Sequence, residues 1–297
     1  MSLGIKLGAI FPQTEIGTNT LAIREYVLAV EQLGFDYILA FDHVLGADIS
    51  NRPNWNGPYT KEHSFYEPFV LFAYIASITS NIELATGIII LPQRQTALVA
   101  KQASTLDLLS NGRLRLGIGI GWNSVEYEAL GEDFSNRGIR SEEQVDVMRA
   151  LWTNETINYE GNWHNINDAG INPLPIQKPI PIWFGGKSEK VLERIGRIGD
   201  GWIASGLNGP NQESISTFDK IHDYTKKASR KPEDVGLETW LSAKQAPLEL
   251  LADQALEWQN IGATHIGLTT MGAGYSSIKE HIQALEDFKS LIYSHRL

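Results

Sequence analysis

Leu114-Arg-Leu-Gly-Ile-Gly-Ile-Gly-Trp-Asn123 is the stretch on which the fold turns. From Leu114 to Ile120 it is almost continuously apolar or glycine, as expected of a parallel strand buried on both faces. Its alternating glycines invite a dinucleotide-binding reading, which the spacing rejects. A G-x-G-x-x-G fingerprint begun at Gly117 needs glycine at position 122, where Trp122 stands. Glycine at every second strand position instead lets a flat ligand, or a large neighbouring side chain, approach the backbone closely.

Seven further runs of this kind flank it: Ile5–Phe11, Tyr37–Phe41, Ile82–Leu91, Ile180–Gly185, Gly201–Ser205, Val235–Leu241 and Thr264–Thr269. Helical periodicity separates them. Ile23, Tyr26, Val27, Val30 and Leu33 mark a first helix closed by Gly34, and Pro68 opens a second carrying Phe69, Phe72, Ile75 and Ala76 on one face. Leu98, Gln102, Thr105, Leu106 and Leu109 mark a third; Val145, Met148, Leu151 and Trp152 a fourth. Ser188 is the expected cap of a fifth with Val191, Leu192 and Ile195. Ile215, Phe218, Ile221 and Tyr224 mark the sixth, and Leu251, Ala255 and Trp258 the seventh. Ser277-x-x-Glu280 reads as a capping box opening the last.

Eight strand–helix units in 297 residues are the arithmetic of an α/β TIM (βα)8 barrel. A doubly wound sheet uses the same units, so periodicity alone leaves closure open. Two segments exceed ordinary loop length: Gly46–Ser64, inserted after strand 2, and Thr153–Pro179, inserted before strand 5. On a barrel the first lies at the catalytic face, as a lid or a substrate wall.

Composition narrows the chemistry. The chain has no cysteine, which excludes a disulfide scaffold, thiolate metal sites, iron–sulfur clusters and a cysteine nucleophile. A net charge of -10 argues against nucleic acid as the main partner. The apolar run Leu7–Phe11 is too short for a signal-peptide core, and Ile82–Leu91 has half the length of a membrane span. The expected location is the cytoplasm.

Barrel chemistry concentrates where strands end at their C-termini. Those positions hold Asp42-His43, Thr86-Gly87-Ile88, Gly119–Asn123 and Gly185-Gly186-Lys187-Ser188. His43 can exchange protons near neutral pH, with Asp42 as an orienting carboxylate; a plain hydrogen-bonded strand end fits equally well. The Gly-Gly-Lys-Ser turn opens a helix and suits a phosphate, or is an ordinary strand–helix junction. Metal chemistry finds no HxH or HExxH spacing, although His43 and His265 lie on separate strands; His265 reads as a core residue. A glycosidase needs facing carboxylates, yet the fourth strand ends in Trp122 and Glu126 falls in a helix beyond it. Lys187 and Lys244 read as solvated, which disfavours a Schiff base.

Several segments together resemble the bacterial luciferase-like monooxygenases. They are Phe41-Asp42-His43-Val44, Ala85-Thr86-Gly87-Ile88, and Gly117–Asn123 with Glu126-Tyr127 and Ala129-Leu130-Gly131. Phe134-x-x-Arg137-Gly138, Pro175-x-Gln177-x-Pro179-x-Pro181-Ile182-Trp183-x-Gly185-Gly186 and Gly199-Asp200-Gly201-Trp202 follow in order. The pattern is most similar to the F420-dependent oxidoreductase branch of that superfamily.

The resemblance implies one barrel domain over residues 1–297 with F420 or FMN at its C-terminal mouth. The implied activity is oxidoreduction of a small organic substrate, by hydride transfer with F420 or oxygenation with reduced FMN supplied by a separate reductase. His43 is the implied catalytic residue. Asp42, Thr86, Gly87, Ile88, Asn123, Gly185, Gly186, Lys187 and Ser188 are implied to hold the cofactor, with Gly87-Ile88 a non-prolyl cis peptide beneath the ring and the Gly-Gly-Lys-Ser turn on its phosphate. A homodimer is implied as well. Some sugar-phosphate-oxidising deazaflavin members carry a glutamate directly after the glycine strand; Trp122 stands here instead, which implies a more apolar pocket walled by Trp55, Trp122 and Trp163 or Trp183. Two other classes remain open: a metal-dependent barrel hydrolase, and a non-catalytic flavin-binding barrel.

Overall fold

Eight parallel strands close on themselves. The structure, a computed structural model, describes residues 4–204 and 206–295. Its strands are β1 (Lys6–Ile10), β2 (Tyr37–Ala40), β3 (Glu83–Thr86) with a short continuation β4 (Ile89–Ile90), and β5 (Leu114–Gly119). A two-stranded hairpin, β6 (Ile157–Glu160) and β7 (Asn165–Ala169), precedes β8 (Ile182–Gly185), β9 (Gly201–Ala204), β10 (Gly236–Ser242) and β11 (His265–Thr269). Parallel pairing runs β3-β2-β1-β11-β10-β9-β8-β5, and β5 returns to β3 through Leu84↔Leu114 and Ala85↔Arg115. That last pairing makes the sheet a TIM barrel and excludes the doubly wound alternative.

All eight runs read from the sequence carry barrel strands whose ends differ by a residue or two from the expected ones; Ser205 lies outside the described residues. The longest run, Ile82–Leu91, is broken: the Gly87–Ile88 peptide is cis, and the chain resumes as β4.

The helices are α1 (Thr20–Gln32), α2 (Pro68–Ile78), α3 (Thr96–Leu109), α4 (Ser124–Ala129), α5 (Arg137–Thr153), α6 (Glu189–Ile198), α7 (Gln212–Lys227), α8 (Leu248–Asn260) and α9 (Ile278–Ser294). Glu280 reaches back to the Ser277 backbone N–H at 3.0 Å, as the capping box requires. Two expectations need correction. Ser188 precedes α6, but its side chain makes no capping hydrogen bond. On α3 the buried face is Val99, Ala100, Ala103, Ser104, Leu106 and Asp107, while Leu98 and Leu109 are 53% and 63% exposed. Small residues let α3 lie close to its neighbours, so the leucines that dominate the periodic pattern point away.

Two apolar layers result. The larger lies between strands and helices; the smaller, Ile10, Tyr37, Leu39 and Ala85, lies inside the barrel with Phe41, Trp240 and Met271 packed on it. Aromatic rings fill much of the interior by lying over glycines. A Cβ on Gly8 would stand 2.1 Å from the Tyr37 ring, and one on Gly201 would stand 2.2 Å from Trp183. Beneath them Arg115 is buried against Glu238 and Glu83, its guanidinium 4.4 Å over the Trp183 ring and 4.6 Å over Tyr37. The barrel is therefore plugged from below, and what is open lies at its mouth.

Candidate active site

Phe41-Asp42-His43 leaves β2 at the mouth. Asp42 is buried and spends its carboxylate on the Ile90 N–H (3.0 Å) and Arg94 (2.9 Å), tying the end of β2 to β4. Burial pushes its carboxyl above the usual range, against the opposing pull of Arg94. Asp42 does not orient His43, contrary to the sequence expectation. That contact belongs to Glu126 on α4, whose Oε2 lies 3.4 Å from His43 Nδ1. Glu126 has no exposed surface and also accepts the N–H groups of Val44 (2.5 Å) and Leu45 (3.0 Å) and the Gln93 amide (3.2 Å). Around the His43 ring stand Phe65 (4.7 Å), Tyr59 (5.2 Å) and Trp122 (5.8 Å).

His43 faces a cavity of about 440 Å3. Gly87-Ile88, Gly119–Gly121 and Gly185-Gly186 supply backbone to its lining; Phe41, Ile90, Trp122, Ile203 and Trp240 supply apolar walls, and Pro58 and Tyr59 come from the insertion after β2. That insertion is closed at its neck by Lys61 N–H to the Ala47 carbonyl (3.0 Å) and by a Lys61–Asp48 pair (2.9 Å). Through Pro58 and Tyr59 it contributes to the wall of this cavity. A second, more polar cavity of about 1060 Å3 shares Phe41, Pro58, Tyr59 and Trp240 with the first and extends past Ser242, Lys244 and Thr269.

Of the ten residues singled out from sequence, Asp42, His43, Gly87, Ile88, Gly185 and Gly186 line the first cavity. Four do not. Thr86 is buried, its hydroxyl bonded to the Gly117 carbonyl at 2.7 Å. Asn123 is buried and caps α4 through the Val125 N–H at 3.2 Å. Lys187 is exposed and donates to the Gly206 carbonyl at 3.1 Å, and Ser188 is exposed at the start of α6. Both follow the cavity rim in sequence without entering the cavity. Among the tryptophans, Trp122 is a wall and Trp55 braces it at 5.6 Å. Trp163 sits at the tip of the β6–β7 hairpin and Trp183 in the barrel interior, so neither is a wall.

Trp240 escaped the sequence reading, and Glu126 entered it only as a helical acid and as part of the Glu126-Tyr127 motif. Glu126 is a helical residue, and only its spacing from the glycine strand hinted at the site. Trp240 sits inside an apolar run, and its indole N–H is held by Glu238 at 2.8 Å, beneath the cavity. His265 is buried as expected, with Nδ1 2.8 Å from the Thr264 hydroxyl and its ring on Trp183 at 4.7 Å. Among the described residues no group of three His, Asp or Glu side chains converges as a metal site.

A cavity of this size with apolar walls, close backbone and one titratable edge suits a flat heteroaromatic ring. Comparison with known proteins agrees. The sequence pattern of the luciferase-like monooxygenases matches residues 7–246. The F420-dependent glucose-6-phosphate dehydrogenase of Segniliparus rotundus is 30% identical over 238 residues, covering 77% of this chain and 66% of that protein. An uncharacterized protein of Mycobacterium tuberculosis is 35% identical over 154 residues; the match covers 52% of this chain and about half, 53%, of that relative. The monooxygenase RslO1 of Streptomyces bottropensis shares the fold, with a TM-score of 0.76 at 19% identity over 99% of this chain and 100% of that one. The chain belongs to the luciferase-like monooxygenase family.

Proposed function

We propose that this protein is a flavin- or deazaflavin-dependent oxidoreductase acting on a small organic substrate, with F420 as its first-choice cofactor and reduced FMN as the second. The observation that carries the reading is the His43 edge presented to an apolar, glycine-backed cavity of ring dimensions. The Segniliparus relative, named as F420-dependent, favours F420; the family's monooxygenase members favour FMN, which a separate reductase would supply reduced.

Bound at the mouth, such a cofactor supplies the two-electron chemistry, hydride exchange for F420 or oxygen activation for reduced FMN. The chain supplies the rest. Gly87-Ile88 and Gly185-Gly186 offer a platform of backbone, and the start of α6 with Lys187 and Ser188 offers N–H and hydroxyl donors to a phosphate. Tyr59, Phe65 and Trp122 exclude water from the His43 ring, and His43 moves the substrate proton. Trp122, where some sugar-phosphate oxidisers carry an acid, supports an apolar substrate. The same reading carries a homodimer, to be checked by sedimentation, and a cytoplasmic location.

The deciding experiment is a paired anaerobic titration of the apo protein with F420 and with reduced FMN, followed by fluorescence and absorbance. Tight binding of F420 alone directs the substrate search to alcohols and activated alkenes. Preference for reduced FMN makes the protein an oxygen-dependent monooxygenase. Binding of neither sinks the proposal.

A further inference from the structure

Glu126 is more than a helix residue that happens to be buried. Its Oε1 accepts two backbone N–H groups, from Val44 and Leu45, the two residues that follow His43. Its Oε2 faces the Gln93 amide at 3.2 Å and His43 Nδ1 at 3.4 Å. A backbone or amide N–H can only donate, so three of the four contacts require an acceptor. Burial alone would raise the Glu126 carboxyl, but contact with His43 and the N–H groups of Leu45 and Val44 outweighs it and holds the group below the ordinary carboxylate range. The fourth contact then follows: opposite an ionised carboxylate, the His43 nitrogen must be the one that carries hydrogen.

We propose that Glu126 is a positioning residue that fixes neutral His43 as its Nδ1–H tautomer and thereby leaves the Nε2 lone pair directed at the cavity. The rest of the surroundings agree. Asp42, the other carboxylate nearby, is committed to Ile90 and Arg94 and does not compete for the ring. Phe65, Tyr59 and Trp122 enclose the imidazole, and among the described residues Nε2 has no protein hydrogen-bond partner. In the two neutral tautomers the roles of the nitrogens are exchanged, and the bond made by one decides what the other offers. Nε2 is therefore an acceptor in the resting site, suited to a ligand that presents a hydroxyl. When such a hydroxyl gives up its proton, the O–H bond breaks, an Nε2–H bond forms, and the resulting imidazolium faces Glu126 through Nδ1–H.

The functional meaning rests on His43 handling the substrate proton, but the geometry can be tested without cofactor or substrate. The experiment is 15N NMR of histidine ring nitrogens at pH 8 in the full chain, with the His43 signals assigned by their loss in His43→Gln. In the wild-type protein we expect Nδ1 at a protonated shift and Nε2 at a bare one. In Glu126→Gln the side-chain oxygen still takes the Val44 and Leu45 N–H groups, which turns the amide NH2 towards His43. The tautomer should then invert to Nε2–H, while the other histidine signals stay in place. A wild-type spectrum with Nε2–H, or an unchanged tautomer in Glu126→Gln, overturns the assignment. If Glu126→Gln does not fold, the wild-type spectrum alone still decides between the two tautomers. Failure of the cofactor titration would leave this result standing, and the reverse also holds.

Discussion

An added methyl group would meet different surroundings at two glycines of β5. A Cβ on Gly117 would stand 1.9 Å from the Thr86 carbonyl oxygen, a backbone atom of the neighbouring strand that cannot swing aside. On Gly119 the nearest atom is Ile88 Cδ1 at 2.6 Å, the end of a side chain with other rotamers open to it. Gly117→Ala is therefore expected to cost about 3 kcal/mol or more and Gly119→Ala about 1 kcal/mol. Urea denaturation of the two variants checks the order; equal losses would mean that the β3–β5 seam gives way more easily than its backbone contact suggests. The same seam explains why alternating glycines were ambiguous in sequence, since Gly117 serves packing and Gly119 lines the cavity. At His43 the expectation is kinetic. His43→Ala should lower turnover about 100-fold to 10,000-fold while cofactor affinity changes only a few-fold, because in the proposed function the lost group moves a proton and is not the platform for the ring. Equal losses in both, measured by titration and steady-state assay, would make it a binding residue.

At the scale of elements, the β6–β7 hairpin depends on one carboxylate. Glu143 on α5 accepts the N–H groups of Asn162, Trp163 and His164 at 2.8 Å each and the His164 ring nitrogen at 2.7 Å. His164 in turn meets the Thr96 hydroxyl at 2.6 Å, at the start of α3. Glu143→Ala should strip the hairpin tip of its acceptor, speeding amide exchange at 162–164 while the barrel strands keep their protection. Uniform loss of protection would show that the hairpin and barrel open together. This hairpin was invisible in the sequence. Its residues Asn158, Glu160, Asn165 and Asp168 are polar, and only Ile157, Tyr159 and Ile166 supply an apolar face, too little for a strand signal. The eight barrel strands were legible because burial on both faces leaves near-continuous apolar runs. The face of α3 was misread for the opposite reason: tight helix packing selects Ala100 and Ala103, which carry little hydrophobic weight, over Leu98 and Leu109. At the cavity, Asp42, His43, Gly87, Ile88, Gly185 and Gly186 could be placed from their strand-end positions, whereas Thr86, Asn123, Lys187 and Ser188 lie off its lining. The partnership of Glu126 with His43 was not legible, because it joins residues 83 positions apart that no local pattern links.

For the whole molecule, the barrel interior couples stability to pH. His265 lies among Tyr37, Trp183 and the Thr264 hydroxyl, with the cations Arg115 and Lys6 facing it. Desolvation, reinforced by Arg115 and Lys6, lowers its pKa from 6.5 to about 2. In the unfolded chain the same imidazole takes up a proton below about pH 6.5. Between these limits the unfolded state binds more protons than the folded one, so stability rises with pH and falls on acidification, by up to about 1.4 kcal/mol per pH unit from this residue. The depressed carboxyl groups of Glu126 and Glu143 act in the same direction, but only below their ordinary titration range near pH 4.5. His281 is also lowered by burial and titrates over the same upper window, but it remains in place when His265 is replaced. His265→Gln removes the one proton site and keeps a polar side chain. The variant should be less stable at pH 7 yet lose distinctly less stability than the wild type between pH 6 and pH 4.5. Urea midpoints across that window measure the difference; parallel slopes would mean that water reaches His265 in the folded barrel and that the charged layer beneath the site does not seal it.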